Sequence, residues 1–384
     1  MATANRFDVA VIGAGVFGAW TAWHLARRGK RVILTDAYGG GNSRASSGGE
    51  SRIIRMGYGT DEVYTRWAAR SLVQWEEFFA KVQNPLFLRT GVLWLAGKDA
   101  SRLRETIATL RRCDVAFEQL DRAALGKRYP QLNLEDVSVG IVEVNSGLLL
   151  ARRAVSAVIR DAVRQGVEYV QAQVATPRGV GRIESVVTST GQHISAQEFV
   201  FACGAWLGKI FPDVLGARIF LTRQEVFFFG VPAGDTRFGP AELPTWLFQE
   251  DEYYGMPDVE ERGLKVALDR HGAKVDPDTQ SRIVSAEAAE AARKYVAWRF
   301  PALRDAPIVE TRVCQYENTS SGDFLIDRHP EMENVWFAGG GSGHGFKHGP
   351  ALGEYVTCQI LDGTAAEPRF LLESKDTVQR RAVH

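Results

Sequence analysis

The first 36 residues constrain the fold more than any other stretch of the chain. Phe7 to Ile12 (FDVAVI) reads as a short apolar strand, and Gly13-Ala14-Gly15-Val16-Phe17-Gly18 follows at once. AWTAWHLARRG then has helical spacing, with Trp20, Trp23 and Leu25 among its packing positions, and KRVILTD returns as a second strand ending in Asp36. Strand, GxGxxG turn, helix and acid-terminated strand within about 30 residues make up the dinucleotide-binding fingerprint. Gly13 makes the tight turn, Gly15 admits a pyrophosphate to the backbone, and Gly18 lets the helix pack closely on the strand. Asp36 is placed to accept hydrogen bonds from a ribose. The fingerprint does not separate NAD from FAD. His24 reads as a packed helix residue.

A second glycine turn lies near the other end of the chain. VWFAGGGSGHGFKHGPALGE (335–354) runs from an apolar strand through Gly339, Gly340, Gly341, Gly343 and Gly345 to a helix from about Pro350. Such turns expose bare backbone to a ligand, and the helix start offers unpaired N–H groups to negative charge. This loop also carries His344 and Lys347.

Composition narrows the classes. The 46 basic residues balance 46 acidic ones, so nothing suggests an electrostatic footprint for nucleic acid. No apolar run reaches the roughly 18 residues of a membrane span. MATANRF is expected to lead straight into the first strand, without a secretory apolar region. The cysteines (Cys113, Cys203, Cys314, Cys358) show neither CxxC nor Cys/His spacing, which argues against a disulfide framework or a metal site and fits a reducing cytoplasm.

Between the two glycine turns, apolar spacing predicts helices over 61–82, 101–112, 151–166 and 285–298. Residues 86–97 read as a strand pair broken at Gly91, residues 167–174 as a strand, and 218–231 as a long strand of a large antiparallel sheet. A hairpin turning at Thr190-Gly191-Gln192 leads into FVFAC, which ends at Gly204. Cofactor segments thus fall at the start, middle and end, with sheet-rich segments between. The expected division is a discontinuous cofactor domain (1–85, 145–217 and 321–384) and a substrate domain (86–144 and 218–320). That discontinuity favours a two-domain flavoprotein over a NAD dehydrogenase.

Five separated segments carry a family resemblance: GAGVFG (13–18), SSGGESRIIR (46–55), YYGMP (253–257), GLKVALDRHGAKVDPDT (263–279), and 311–349 with TRVCQY and DFLIDRHPEMENVWFAGGGSGHGFKHG. Together they resemble the monomeric sarcosine oxidase family, which includes N-methyltryptophan and pipecolate oxidases, within the D-amino acid oxidase superfamily. The resemblance implies an α/β fold with a Rossmann-like FAD domain of glutathione-reductase type. Its second domain is α+β, with a large mixed, mainly antiparallel sheet capped by helices. It further implies a monomeric enzyme that oxidises a secondary or N-methylated amino acid to an imine, with O2 reduced to H2O2.

Site roles follow from the same match. Cys314, before Tyr316, corresponds to the cysteine joined covalently to FAD. Arg55 and Lys347 correspond to the substrate-carboxylate ligands, Arg52 to an arginine beside the flavin ring, and Lys265 to the oxygen-activating lysine. Tyr254 and Tyr316 correspond to tyrosines lining the substrate pocket, and His344 is read either as flavin-proximal or as a residue supporting the groups that are, with no proton transfer assigned to it. Cofactor contacts are expected from Gly13, Gly15, Gly18, Asp36, Arg44, Ser46, Ser47, Val174, Gly204, Trp206, Cys314, Gly341, Gly343, Gly345 and Lys347. Three positions depart from the pattern. Glu317 stands where the family has Thr, Gly48 where it has His, and Asp269 where an active-site His is usual. Asp269 either selects a cationic or larger amine or pairs with Arg270. A flavin dehydrogenase using another electron carrier, or a flavin-binding protein without turnover, are the alternatives.

Overall fold

A computed structural model describes residues 7–380; residues 1–6, including the expected lead into the first strand, and 381–384 lie outside the described part. The first strand, Phe7–Ile12, sits centrally in a seven-stranded sheet. Its parallel part runs Val335–Gly339, His193–Phe201, Phe7–Ile12, Val32–Asp36, Glu168–Gln171. Leu325–Arg328 and Ser185–Val187 add antiparallel strands. Near-continuous burial of Phe7–Ile12, Val32–Asp36 and Val335–Gly339 is what a parallel layer covered on both faces requires.

The helix Val16–Arg27 leaves the first strand and packs against the helices Ala151–Arg164 and Gly349–Asp362. Close approach has a sequence cause: a Cβ at Gly353 would lie 2.6 Å from the Trp20 backbone. Pro350 starts the last of these helices, and Gly363 ends it in the left-handed region at φ 60°. The helix Glu62–Lys81 is capped by Asp61, which accepts from the Tyr64 N–H, and buries Tyr64, Ala68, Leu72, Trp75 and Phe79.

An eight-stranded sheet forms the second layer, ordered Ile308–Asn318, Phe220–Phe229, Leu264–Leu268, Tyr253–Met256, Thr245–Phe248, Val92–Ala96, Val139–Glu143, Phe117–Asp121. All its pairings are antiparallel except Thr245–Phe248 against Val92–Ala96. The helix Ala286–Arg299, capped by Ser285, packs against it. The fold is therefore α/β, with a Rossmann-like parallel layer and a mixed, mainly antiparallel second sheet, as the sequence predicts.

Two local expectations need correction. The halves of 86–97 do not pair with each other. Gly91, at φ 73°, turns the chain, so Phe87–Leu88 joins Gly147–Leu149 in a three-stranded sheet with Arg52–Ile54, while Val92–Ala96 enters the large sheet. The strand expected over 167–174 ends at Gln171, and Val174 makes only an isolated bridge to Thr188. Among the described residues no helix is long and apolar enough to cross a membrane, and all four cysteines are unpaired and partly exposed.

Candidate active site

Two adjoining cavities lie between the sheets. The larger, about 470 Å³, is walled by the first glycine turn, the end of the strand His193–Phe201, the Cys314–Glu317 segment and the second glycine turn. Its size is that of a small-molecule site. The glycines are demanded by packing: a Cβ at Gly13, whose φ is 102°, would sit 2.3 Å from the Ala202 carbonyl oxygen, and one at Gly18 would sit 1.8 Å from that of Gly13. Gly15 caps the helix Val16–Arg27 without a side-chain partner, and Ser47 Oγ accepts from the Val16 N–H at 3.1 Å. The helix start thus faces the cavity with its positive end. Asp36 accepts from the N–H groups of Ala14 and Tyr38, each at 2.8 Å, and burial raises its carboxyl above the usual range.

Gly15, Asp36, Ser46, Ser47, Val174, Gly204, Trp206, Cys314, Gly341, Gly343 and Gly345 also line this cavity. Gly18 and Arg44 do not. Gly18 sits behind the turn, against Gly13. Arg44 stacks over Tyr38, 4.2 Å from its ring centre, and pairs with Asp278 at 3.4 Å, so its charge is engaged at the rim. Lys347 faces the second cavity. The glycine cradle, the helix start and the acid closing the second strand fit a dinucleotide.

The second, smaller cavity shares Arg52, Tyr316, Ser342, Gly343 and Phe346 with the first. Arg55, Tyr254, Lys265, Asp269, His271, His344 and Lys347 line it too, so residues 52 to 347 converge on one space. Lys265 is buried, not at a solvent edge. Its Nζ donates to the Ser51 carbonyl oxygen at 2.9 Å and to Ser51 Oγ at 3.3 Å. Burial, then the neighbouring Arg52, lowers its pKa to about 7. Lys347 Nζ donates to Tyr58 Oη at 2.8 Å and to the His344 carbonyl oxygen at 3.0 Å. Burial, then Arg55, pulls it well below the usual lysine range. Arg55 lies between the Tyr58 and Trp94 rings, 4.6 and 4.9 Å from their centres, and donates to the Gly57 carbonyl oxygen. Arg52 donates to the Ser46 carbonyl oxygen at 2.6 Å and lies 3.5 Å from Cys314 Sγ. None of these four cations forms an ion pair among the described residues.

Asp269 is the acid in this wall. It accepts from Tyr316 Oη at 3.0 Å, while Arg270 pairs with Glu252 instead. Burial raises its pKa against the opposing pull of Tyr316, Arg55 and Lys347. Burial and the Asp269 charge push Tyr254 up to about 12, so both site tyrosines stay protonated at neutral pH. Beyond Asp269 a further chamber opens between Tyr58, Trp94, Phe248 and Tyr253, again sharing Arg55, Leu247 and Tyr254.

Two residues had no role in the sequence reading. Glu317 is buried in the wall of the larger cavity with Oε1 unpartnered, and burial raises its pKa to about 7 against the N–H groups of Gly340 and Gly341. Its replacement of the family Thr was the available signal. Tyr58 contacts Arg55 and Lys347 together, and no motif marks it.

The family model for FAD-dependent oxidoreductases matches residues 8–359. The chain is 30% identical over 375 residues to a monomeric sarcosine oxidase of Streptomyces avermitilis, covering 96% of this chain and 97% of that protein. It is 28% identical over 372 residues to an N-methyl-L-tryptophan oxidase of Salmonella heidelberg, covering 94% and 96%. Among solved structures, the L-proline dehydrogenase of P. horikoshii superposes with a TM-score of 0.83 at 21% identity, over 96% of this chain and 98% of that one. Fructosamine oxidase (Amadoriase II) of Aspergillus fumigatus gives 0.82 at 22% identity, over 99% and 92%. With the cofactor cradle, the match across nearly the whole chain places this protein in the family of FAD-dependent oxidoreductases.

Proposed function

We propose that this flavoenzyme oxidises a secondary or N-methylated amino acid to an imine, with O2 reduced to H2O2. One observation carries the reading: four buried or half-buried cations, Arg52, Arg55, Lys265 and Lys347, face one small cavity beside the cofactor cradle without an acid partner. Asp269 is the one carboxylate among the lining residues and bonds Tyr316 rather than these cations, so four cations face one acid, an imbalance that a substrate carboxylate reduces. Bound FAD supplies two-electron oxidation. Arg55 presents a planar fork to the carboxylate and Lys347 a point charge. An arriving anion favours the protonated form of Lys347 and offsets the burial that lowers its pKa. This clamp orients the C–H bond to be broken toward the cofactor cavity. Lys265 supplies positive charge where O2 is reduced. Per amine oxidised, one O2 becomes H2O2 and one water hydrolyses the imine. The enzyme acts in the cytoplasm as a monomer.

Asp269, at the neck between the clamp and the chamber beyond, disfavours sarcosine and favours an amine with a larger or cationic substituent. Cys314 lines the cofactor cavity and holds the FAD through a thioether. The test is anaerobic bleaching of the flavin across sarcosine, N-methyl amino acids, pipecolate, proline and basic amines. Carboxylate-bearing secondary amines should bleach it, with peroxide near one per turnover in air. Bleaching without peroxide indicates a dehydrogenase, and no bleaching by any amine rejects the reading. Colour should stay with acid-precipitated protein and leave it in Cys314→Ser.

A further inference from the structure

Tyr58 lies outside every motif that points to the cofactor, yet its hydroxyl meets three polar groups of the second glycine turn. Lys347 Nζ is 2.8 Å away, His348 Nε2 2.8 Å and His344 Nδ1 3.1 Å. A phenol oxygen offers two lone pairs and one proton, so three donors cannot all be served. One partner must accept, and an ammonium cannot. His344 Nε2 lies 3.1 Å from the Gly322 carbonyl oxygen, which only accepts, so that nitrogen carries a proton. His344 Nδ1 is then the acceptor and takes the Tyr58 proton. His348 is held neutral by burial and by the adjacent Lys347 and Arg55 charges. It donates from Nε2, which leaves the partnerless Nδ1 as a bare lone pair, less costly to bury than an N–H. Both lone pairs of the Tyr58 oxygen therefore receive donors, one of them Lys347. The ring face of the same residue lies 4.6 Å from the Arg55 guanidinium.

We propose that Tyr58 is the positioning residue of the substrate clamp: its ring orients Arg55, and its hydroxyl, polarised by donation to His344, accepts from Lys347 and favours its ammonium form. This rests on the reading of Arg55 and Lys347 as carboxylate ligands. The charged and titratable groups facing Lys347 are Arg55, after the strand Arg52–Ile54; Asp269, after Leu264–Leu268; Glu143, at the end of Val139–Glu143; and His344 and His348 on its own segment. Burial and Arg55 favour the neutral amine, whereas Asp269 and Glu143 favour the ammonium. Tyr58 Oη and the His344 carbonyl oxygen are the two oxygens bonded to Nζ, so removing the hydroxyl takes away half of that direct solvation. The ammonium then deprotonates at lower pH, and carboxylate affinity is lost earlier as pH rises.

The experiment titrates holoenzyme with acetate, read by the flavin spectrum, from pH 6 to pH 9. Tyr58→Phe should bind acetate within about threefold of wild type at pH 6, and its deficit should grow with pH to about tenfold, because the neutral amine of Lys347 is favoured once the hydroxyl is gone. The KM of any bleaching amine should follow the same trend, with kcat within about threefold. Lys347→Gln should be weak at every pH. Thermal unfolding of Tyr58→Phe within a few degrees of wild type confirms an intact fold. Acetate affinity equal to wild type at every pH, or reduced by one constant factor throughout, overturns the proposal. If wild type binds acetate at no pH, the clamp reading fails first and this inference falls with it.

Discussion

At the scale of single residues, burial decides what Lys265 and Glu317 do. Lys265 has two oxygens within reach, both from Ser51, and a pKa near 7, so its charge is half-present at neutral pH. Lys265→Met keeps the stem and removes the charge. Reoxidation by O2 in stopped flow should slow by about a hundredfold, while anaerobic reduction stays within a few-fold. Reoxidation in the native protein should also fall as pH rises through about 7, where the ammonium is lost. Equal reoxidation rates in mutant and wild type reject the role. Glu317 has the opposite sign. Its folded pKa of about 7 lies above the ordinary glutamate value of 4.5, so between those limits the folded state holds a proton that the unfolded chain releases. Stability of the cofactor-free protein should therefore decline from about pH 4.5 to pH 7 and then level, by on the order of 3 kcal/mol from this group. Glu317→Gln should flatten that decline in denaturant titrations at pH 5 and pH 8. An unchanged pH slope would mean that Glu317 ionises normally.

At the scale of elements, the strand–turn–helix unit works because two glycines allow backbone to touch backbone. Gly18→Ala places a methyl 1.8 Å from the Gly13 carbonyl oxygen, and no flexible side chain is there to move aside. The turn or the helix must shift, at a cost of about 3 kcal/mol or more, and the cradle opens with it. The variant should purify with little flavin and a lowered Tm. Gly29 at the far end of the same helix has nothing within 4 Å of an added Cβ, though its φ of 73° favours Gly or Asn. Gly29→Asn should keep wild-type flavin content. If Gly18→Ala does so as well, close packing is not why glycine stands there. The unit was legible because its residues are adjacent and its chemistry belongs to the backbone. The strand pair expected over 86–97 was not, since both halves have strand composition and only their distant partners separate them.

At the scale of the whole molecule, the cofactor cavity borrows its walls from both large sheets. Ile12 and Ala202 come from the parallel layer, and Cys314 to Glu317 from the antiparallel one. A ligand held by both resists their separation. In Cys314→Ser protein, where FAD binds reversibly, FAD at a thousandfold over its Kd should add about 4 kcal/mol and raise Tm by several degrees over the same protein stripped of flavin at the same pH. Identical Tm values would mean that the flavin contributes nothing to cohesion.

Short-range sequence determined the cofactor cradle and the helices, because periodicity and glycine chemistry act between near neighbours, and the family resemblance supplied the α/β class. Family motifs named Arg55, Lys347, Lys265 and Cys314 as candidates, but not their surroundings. Only the tertiary structure joined Lys347 to Tyr58 across 289 positions and Tyr316 to Asp269 across 47. It alone set the pKa values of Lys265 and Glu317 near 7 and turned Arg270 away from Asp269. Charge state depends on which groups exclude water from a side chain and which oppose its charge, and those groups are assembled by folding from every part of the chain.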